Sequence, residues 1–243
     1  MKIKTIKIVS LETGEVLEEP GIFVPDHQKK EVKRKQAAKK EQEDQGGFIW
    51  MRYEVGKIDK SHWNRRADLT RLIMLATYLN YDNVLTYNKQ PMTKVKMMEI
   101  LKLPQRTFFR FFENEVKLQN ILQGQDGSYS INKKFAYKGR LDVQETGNTR
   151  VYIDYMRKLY NKTQPKEHYK ISYLFLLLPY VNIKYNIICS NPLETDESMV
   201  DPLSDYKIRE ILNCKRSAEN FNKIMDGLII DKKISNQLYR GCY

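Results

Sequence analysis

Apolar residues alternate with lysines at the start of the chain. Ile3, Ile6, Ile8 and Val9 stand among Lys2, Lys4 and Lys7. Alternation of this kind predicts a half-exposed strand. Glu12-Thr13-Gly14-Glu15 supplies a turn, Val16-Leu17 starts a return strand, and Pro20-Gly21 with Pro25 ends it. Segment 1–27 therefore reads as a β-hairpin, with Gly14 free to take positive φ. The pattern then stops. Residues 28–45, QKKEVKRKQAAKKEQEDQ, are nearly all polar and predict a charged linker or a basic arm, closed by Gly46-Gly47.

Apolar order returns at Phe48–Tyr53, FIWMRY, an aromatic stretch that favours a strand. From about Asp68 the spacing changes to that of a helix. Leu69, Leu72, Ile73, Ala76 and Leu79 fall on one face, and Asn80, Asp82 and Asn83 end it. Met92–Leu122 reads MTKVKMMEILKLPQRTFFRFFENEVKLQNIL. It splits into a helix over Thr93–Leu101, a turn holding Pro104, and a second helix from about Thr107. Thr93 and Thr107 both suit N-caps, and Pro104 prevents one continuous helix. A Gly-centred hairpin follows, GQDGSYSINKKFAYKGR, with Tyr129, Ile131, Phe135 and Tyr137 as its apolar positions. Helix, turn, helix and hairpin is the order of a winged helix-turn-helix.

The pattern recurs in the second half. Leu203–Ile234 reads LSDYKIREILNCKRSAENFNKIMDGLIIDKKI. Thr93 matches Ser204, Glu99-Ile100-Leu101 matches Glu210-Ile211-Leu212, and Leu103 matches Cys214. After a turn one residue shorter, Arg106-Thr107 matches Arg216-Ser217, Phe111 matches Phe221 and Leu118 matches Leu228. Upstream, Leu72, Leu75, Tyr78 and Asn80 match Leu174, Leu177, Tyr180 and Asn182. The second copy carries an insertion, Asn191–Asp201, with four acids, which predicts an exposed loop away from DNA. Its own hairpin would start at Ile234. Between the copies Val151, Tyr155, Met156 and Leu159 suggest a connecting helix, with a hinge at Thr163-Gln164-Pro165.

Charge adds a partner to this outline. Lys and Arg number 42 against 30 acids, a formal net charge of +12. That points to a polyanion, nucleic acid before a membrane surface. The longest apolar run, Tyr173–Val181, holds Pro179 and is too short to span a bilayer. The N-terminus lacks the apolar stretch of a signal peptide. Three cysteines, Cys189, Cys214 and Cys242, are too scattered for a disulfide framework or a zinc site. A cytoplasmic protein without membrane partner is expected.

Each helix pair offers a reader small enough for a major groove. In the first copy the expected base contacts are Gln105, Arg106, Thr107 and Arg110. In the second they are Lys215, Arg216, Ser217 and Asn220, with Asn220 in the place of Arg110. Arg suits guanine and Gln or Asn suits adenine. Lys133, Lys134, Lys138 and Arg140 beside the first wing, and Lys232 and Lys233 near the second, would hold phosphates and set salt dependence. Two differing readers in one chain imply an imperfectly palindromic site, its halves about one turn apart. Phe108, Phe111 and Phe112 read as core, and Phe109 is open. Arg106 and Arg216 could instead be salt-bridge partners of Glu99 and Glu210.

Catalytic chemistry finds no motif. His27, His62 and His168 are isolated, and no His-x-His, Walker-type loop, His-Glu-x-x-His or Gly-x-Ser-x-Gly occurs. No enzyme, cofactor or metal is expected.

The helix ending near Tyr78-Leu79-Asn80, the helix pair in Met92–Leu122 and the wing SYSINKKFAYKGR together resemble the winged-helix replication and maintenance proteins of plasmids and phages of low-GC Gram-positive bacteria. Lys133 stands where that wing ending usually has Pro. The opening Leu11-Glu12-Thr13-Gly14-Glu15 also looks phage-like. The resemblance covers about residues 48–140. It implies binding to an origin or operator and recruitment of replication or transcription proteins. The expected fold is thus α+β and mainly helical, with tandem winged helix-turn-helix domains at 48–140 and 167–243. A hairpin at 1–27, an arm at 28–47 and a connection at 141–166 complete it. The expected function is sequence-specific binding of double-stranded DNA. The alternative is a docking factor whose helix pairs bind a host or phage protein.

Overall fold

The computed structural model describes residues 8–9, 16–17, 27, 29–33, 36, 40, 47–56, 60–62, 65–140, 147–182, 184–215 and 217–226. The fold is mixed α+β, predominantly helical, with several small antiparallel sheets. It divides into two compact units, 1–45 and 46–243.

In the first unit β1 (Ile8–Val9) pairs antiparallel with β2 (Val16–Leu17), Ile8 opposite Leu17 and Val9 opposite Val16. The described residues between His27 and Lys40 are helical and exposed. That fits their composition, which gives a helix no apolar face to bury.

In the second unit β3 (Phe48–Arg52) is the middle strand of a three-stranded sheet. Ile49 and Met51 point into the core. Its neighbours are β8 (Ala136–Tyr137) and β9 (Asn148–Tyr152). β8 corrects the sequence reading, which gave Tyr137 to the wing. The hairpin itself is β6 (Ile121–Gln123) with β7 (Tyr129–Ile131), Ile121 opposite Ile131. The chain then leaves the hairpin, and Tyr137 faces Trp50.

Helix α1 (Arg66–Ala76) is almost wholly buried from Asp68 onward. A short hairpin, β4 (Thr86–Tyr87) with β5 (Gln90–Pro91), leads to α2 (Lys94–Leu101). The Thr93 hydroxyl caps α2 by accepting from the Lys96 backbone N–H at 3.2 Å. α2 ends at Lys102, whose φ is 51°. Helix α3 (Gln105–Lys117) starts earlier than expected. Pro104, with φ −59°, is its N-cap, and Thr107 lies inside the first turn. Proline already has the helical φ and needs no donor there. Phe108, Phe111 and Phe112 are buried, as their spacing predicts.

Helix α4 (Ile153–Lys162) follows β9 directly. Its buried positions are Ile153, Met156 and Tyr160, while Tyr155 faces out and Val151 belongs to the strand. The sequence reading set Tyr155 on one face with Val151, Met156 and Leu159, a register that begins in β9. Helix α5 (His168–Leu177) packs against α1. β10 (Val181–Asn182) pairs with β11 (Ile187–Ile188), and α6 (Asp205–Ile211) and α7 (Ala218–Asp226) complete the described chain.

The repeat is visible in hydrogen bonds. Asn80 Oδ1 accepts from the backbone N–H groups of Asp82 and Val84, and Asn182 Oδ1 accepts from those of Lys184 and Tyr185. Thr86 N donates to Tyr78 O, and Cys189 N to Tyr180 O. Met92 N donates to Leu85 O, and Leu203 N to Ile188 O. Ser204 caps α6 as Thr93 caps α2, accepting from Lys207 N. Asn213, with φ 46°, ends α6 as Lys102 ends α2. Leu103 N donates to Met98 O, and Cys214 N to Arg209 O. One buried apolar cluster runs through both copies, including Leu72, Met97, Phe111, Leu176, Ile208 and Phe221.

Candidate nucleic-acid interface

Helix α3 has two chemically opposed faces. One buries Phe108, Phe111 and Phe112, whose rings pack at centroid distances of 5.7 to 6.4 Å. Burying each such side chain contributes about 1.5–3 kcal/mol. The other face presents Gln105, Arg106, Arg110 and Glu113 to solvent. Thr107 is half-buried at its edge. Phe109, left open by the sequence, is 37% exposed on this outer face.

Glu99 pairs with Lys96, Nζ to Oε2 at 2.9 Å, and not with Arg106. Neither the Arg106 nor the Arg110 side chain has a hydrogen-bond or ion-pair partner among the described residues. Two cations therefore project from one helix face with their donors available to an acceptor.

The far end of α3 is anchored by a buried polar cluster. His62 Nε2 lies 3.0 and 3.2 Å from the two Glu115 carboxylate oxygens. The Asn114 and Asn120 amides also donate to that carboxylate, at 3.3 and 2.8 Å. Ser61 Oγ is 2.8 Å from His62 Nδ1. This cluster ties the C-terminal half of α3 to the segment that precedes α1. The sequence marked His62 only as an isolated histidine and did not single out Glu115. Nearby, burial raises the Asp68 carboxyl above its ordinary pKa, opposed by the Arg71 guanidinium at 2.6 Å.

The turn of the β6–β7 hairpin is held by Asp126, whose Oδ1 accepts from Ser128 N at 3.0 Å and Ser128 Oγ at 2.7 Å. Those bonds hold the Asp126 pKa below the usual carboxylate value. Gly127, φ 78°, occupies the left-handed position the turn requires. Lys133 and Lys134 are exposed just beyond β7, at the base of the hairpin and not at its tip. Lys134 N donates to Asn132 Oδ1. Lys138 and Arg140 follow β8; Lys138 is half-buried and Arg140 exposed. Lys138 Nζ lies 5.3 Å from the ring centre of Tyr81, which is 77% exposed. Tyr81 is an addition to the site that its turn sequence did not mark.

In the second copy Lys215, Ser217 and Asn220 are exposed. Ser217 Oγ accepts from Asn220 N at 3.4 Å, capping α7. Phe221, Ile224 and Met225 form its buried face. Arg216, Lys232, Lys233 and the second hairpin expected from Ile234 lie outside the described residues. The insertion Asn191–Asp201 is a loop whose Asp196, Glu197 and Asp201 are exposed. Its Asp196 accepts from Ser198 N and Oγ, which lowers the Asp196 pKa.

Among the described residues no group of three His, Cys, Asp or Glu side chains is placed to hold a metal ion. No helix among them is long and apolar enough to cross a membrane. Comparison with protein-family models, with curated proteins and with solved structures finds no match.

Proposed function

We propose that this chain is a sequence-specific double-stranded-DNA-binding protein that uses two winged helix-turn-helix units. It would act in phage or plasmid replication initiation or in transcription control. On this reading it binds and recruits, and performs no chemistry itself. Replication or transcription proteins would be its further partners.

The observation that carries the reading is the outer face of α3. Gln105, Arg106 and Arg110 project from a helix whose opposite face is locked in the core. A rigid helix with unengaged Arg and Gln donors suits the edges of bases in a major groove. Lys133, Lys134, Lys138 and Arg140 lie on the segment that follows the hairpin and would contact phosphates. The net charge of +12 supplies the long-range attraction.

Titration of the full chain with a labelled duplex at stepped salt concentrations tests the reading. Log affinity should fall linearly with log salt, with a slope reflecting several released counterions. A flat response would contradict duplex binding. It would favour the docking reading, which Leu193, Met199 and Tyr206 support by being 73%, 63% and 67% exposed in and after the acidic loop.

A further inference from the structure

We infer that an internal pseudo-two-fold axis relates the two repeats, and that the DNA they take is an inverted pair of unequal half-sites at one fixed spacing. This rests on the duplex-binding reading above and adds the orientation and spacing of the target.

The axis follows from how α1 meets α5. Thr70 Oγ1 donates to His168 O at 2.8 Å, and Arg66 Nη1 donates to Tyr173 Oη at 2.6 Å. Moving from 66 to 70 along α1, the partner moves from 173 back to 168, so the helices run antiparallel. In the repeat alignment His168 is the counterpart of Arg66, Tyr173 of Arg71 and Ser172 of Thr70. The first contact therefore joins position 70 to position 66 of the other copy. The second joins position 66 to position 71. Each is the reverse of the other to within one residue, which is the signature of an isologous contact. A simple translation would lay the helices parallel, with Arg66 beside His168. Thr70 and Ser172 are both fully buried, and their small side chains allow the close crossing.

A second exchange agrees. Arg66 Nη2 crosses to the end of α6, donating to Leu212 O and Asn213 O. Leu101 is the counterpart of Leu212, and its carbonyl accepts from Tyr160 Oη at 3.0 Å. The Tyr160 ring lies against His168, the counterpart of Arg66, with centroids 3.9 Å apart. One place in the fold is thus filled in both directions by different chemistry.

Matching backbone bonds run through the segments that join α1 to α2 and α5 to α6. The axis that relates α1 to α5 therefore carries α3 onto α7. A two-fold reader engages one duplex with both units only when its axis lies on a dyad of the DNA, and the half-sites then run in opposite directions. They are unequal because the readers differ, with Arg110 in one and Asn220 in the other. Their spacing is fixed because the apolar cluster is continuous through both copies and the polar bonds above cross between them.

The test is a duplex library in which two random blocks flank spacers of graded length, selected with the full chain. Enriched molecules should carry inverted, non-identical blocks at one spacer. Inserting about half a turn should drop affinity to that of one block, on the order of 100-fold. Enrichment of direct repeats, or of all spacers equally, overturns the inference and leaves duplex binding standing. Enrichment of no sequence overturns both. A second variant guards the conclusion. Asn220→Arg, at an exposed position, should change one block toward the other and leave the spacer unchanged. A change in both blocks, or in neither, overturns the inference.

Discussion

The imidazole of His62 and the carboxylate of Glu115 meet in the interior, 3.0 Å apart, with side chains 1% and 0% exposed. Glu115 stands on the core side of α3, and His62 lies in the segment that leads into α1. The contact ties the outward-facing helix to the middle of the fold. Three partners converge on one carboxylate, His62, Asn114 and Asn120, so it has little unmet demand.

Glu115→Ala should therefore be severe. It leaves an imidazole and two amides facing a buried void. The expected loss is about 3–5 kcal/mol of stability. Urea unfolding of the variant and the parent measures it. A loss under about 0.5 kcal/mol, the range of an ordinary surface change, would mean the cluster does not brace α3.

Arg110 and Phe111 are neighbours in sequence with opposite roles. Arg110→Ala should leave thermal stability unchanged and cost about 1–3 kcal/mol of binding on the preferred duplex, relaxing one base pair. Phe111→Ala should cost about 3–5 kcal/mol of stability. Paired melting and binding curves separate them. If Arg110→Ala unfolds the chain, its side chain is structural and the outer face of α3 is not the reader.

Lys134 should act through charge alone. Lys134→Ala is expected to weaken binding to every sequence about equally and to reduce the salt slope by about 1. A sequence-dependent loss would move Lys134 from the phosphates to the bases.

His168 gives a pH dependence with a definite sign. Its Nε2 faces the carbonyls of Tyr160 and Thr163 at 3.3 and 3.2 Å and must carry the proton to donate. Nδ1 is buried with no partner among the described residues. Burial holds the pKa below its ordinary 6.5, against the opposing pull of the two carbonyls. The unfolded chain therefore binds a proton before the folded one does. Stability from this group is complete above about 6.5 and is lost as pH falls toward the lower folded value. His168→Gln keeps an N–H donor and removes the titration. Unfolding free energies at about pH 7.5 and 5.5 should converge in the variant more than in the parent. An unchanged difference would assign the pH dependence elsewhere.

Local pattern made much of this fold legible. The spacing of Leu69, Leu72 and Ile73 marked α1, and Thr93 and Ser204 marked the starts of α2 and α6. The phenylalanines at 108, 111 and 112 marked the inner face of α3. What was not legible depends on distant partners. β9 carries no apolar alternation, since Asn148, Thr149 and Arg150 precede its single buried Val151, and it becomes a strand because β3 offers an edge. Tyr137 leaves the wing for Trp50, and Glu115 meets His62, through contacts that no window of neighbouring residues contains. The matching Asn80 and Asn182 turns show the opposite case, where a residue's role was fixed by its own loop and survived in both copies.

The central claim is that the chain reads duplex sequence with both repeats. Selection from a pool of random duplexes, sequenced after binding at two salt concentrations, tests it most directly. The account predicts one enriched motif with two unequal halves about one helical turn apart, retained at both concentrations. Weak binding that vanishes at the higher salt with no motif enriched would contradict it and leave only a basic surface.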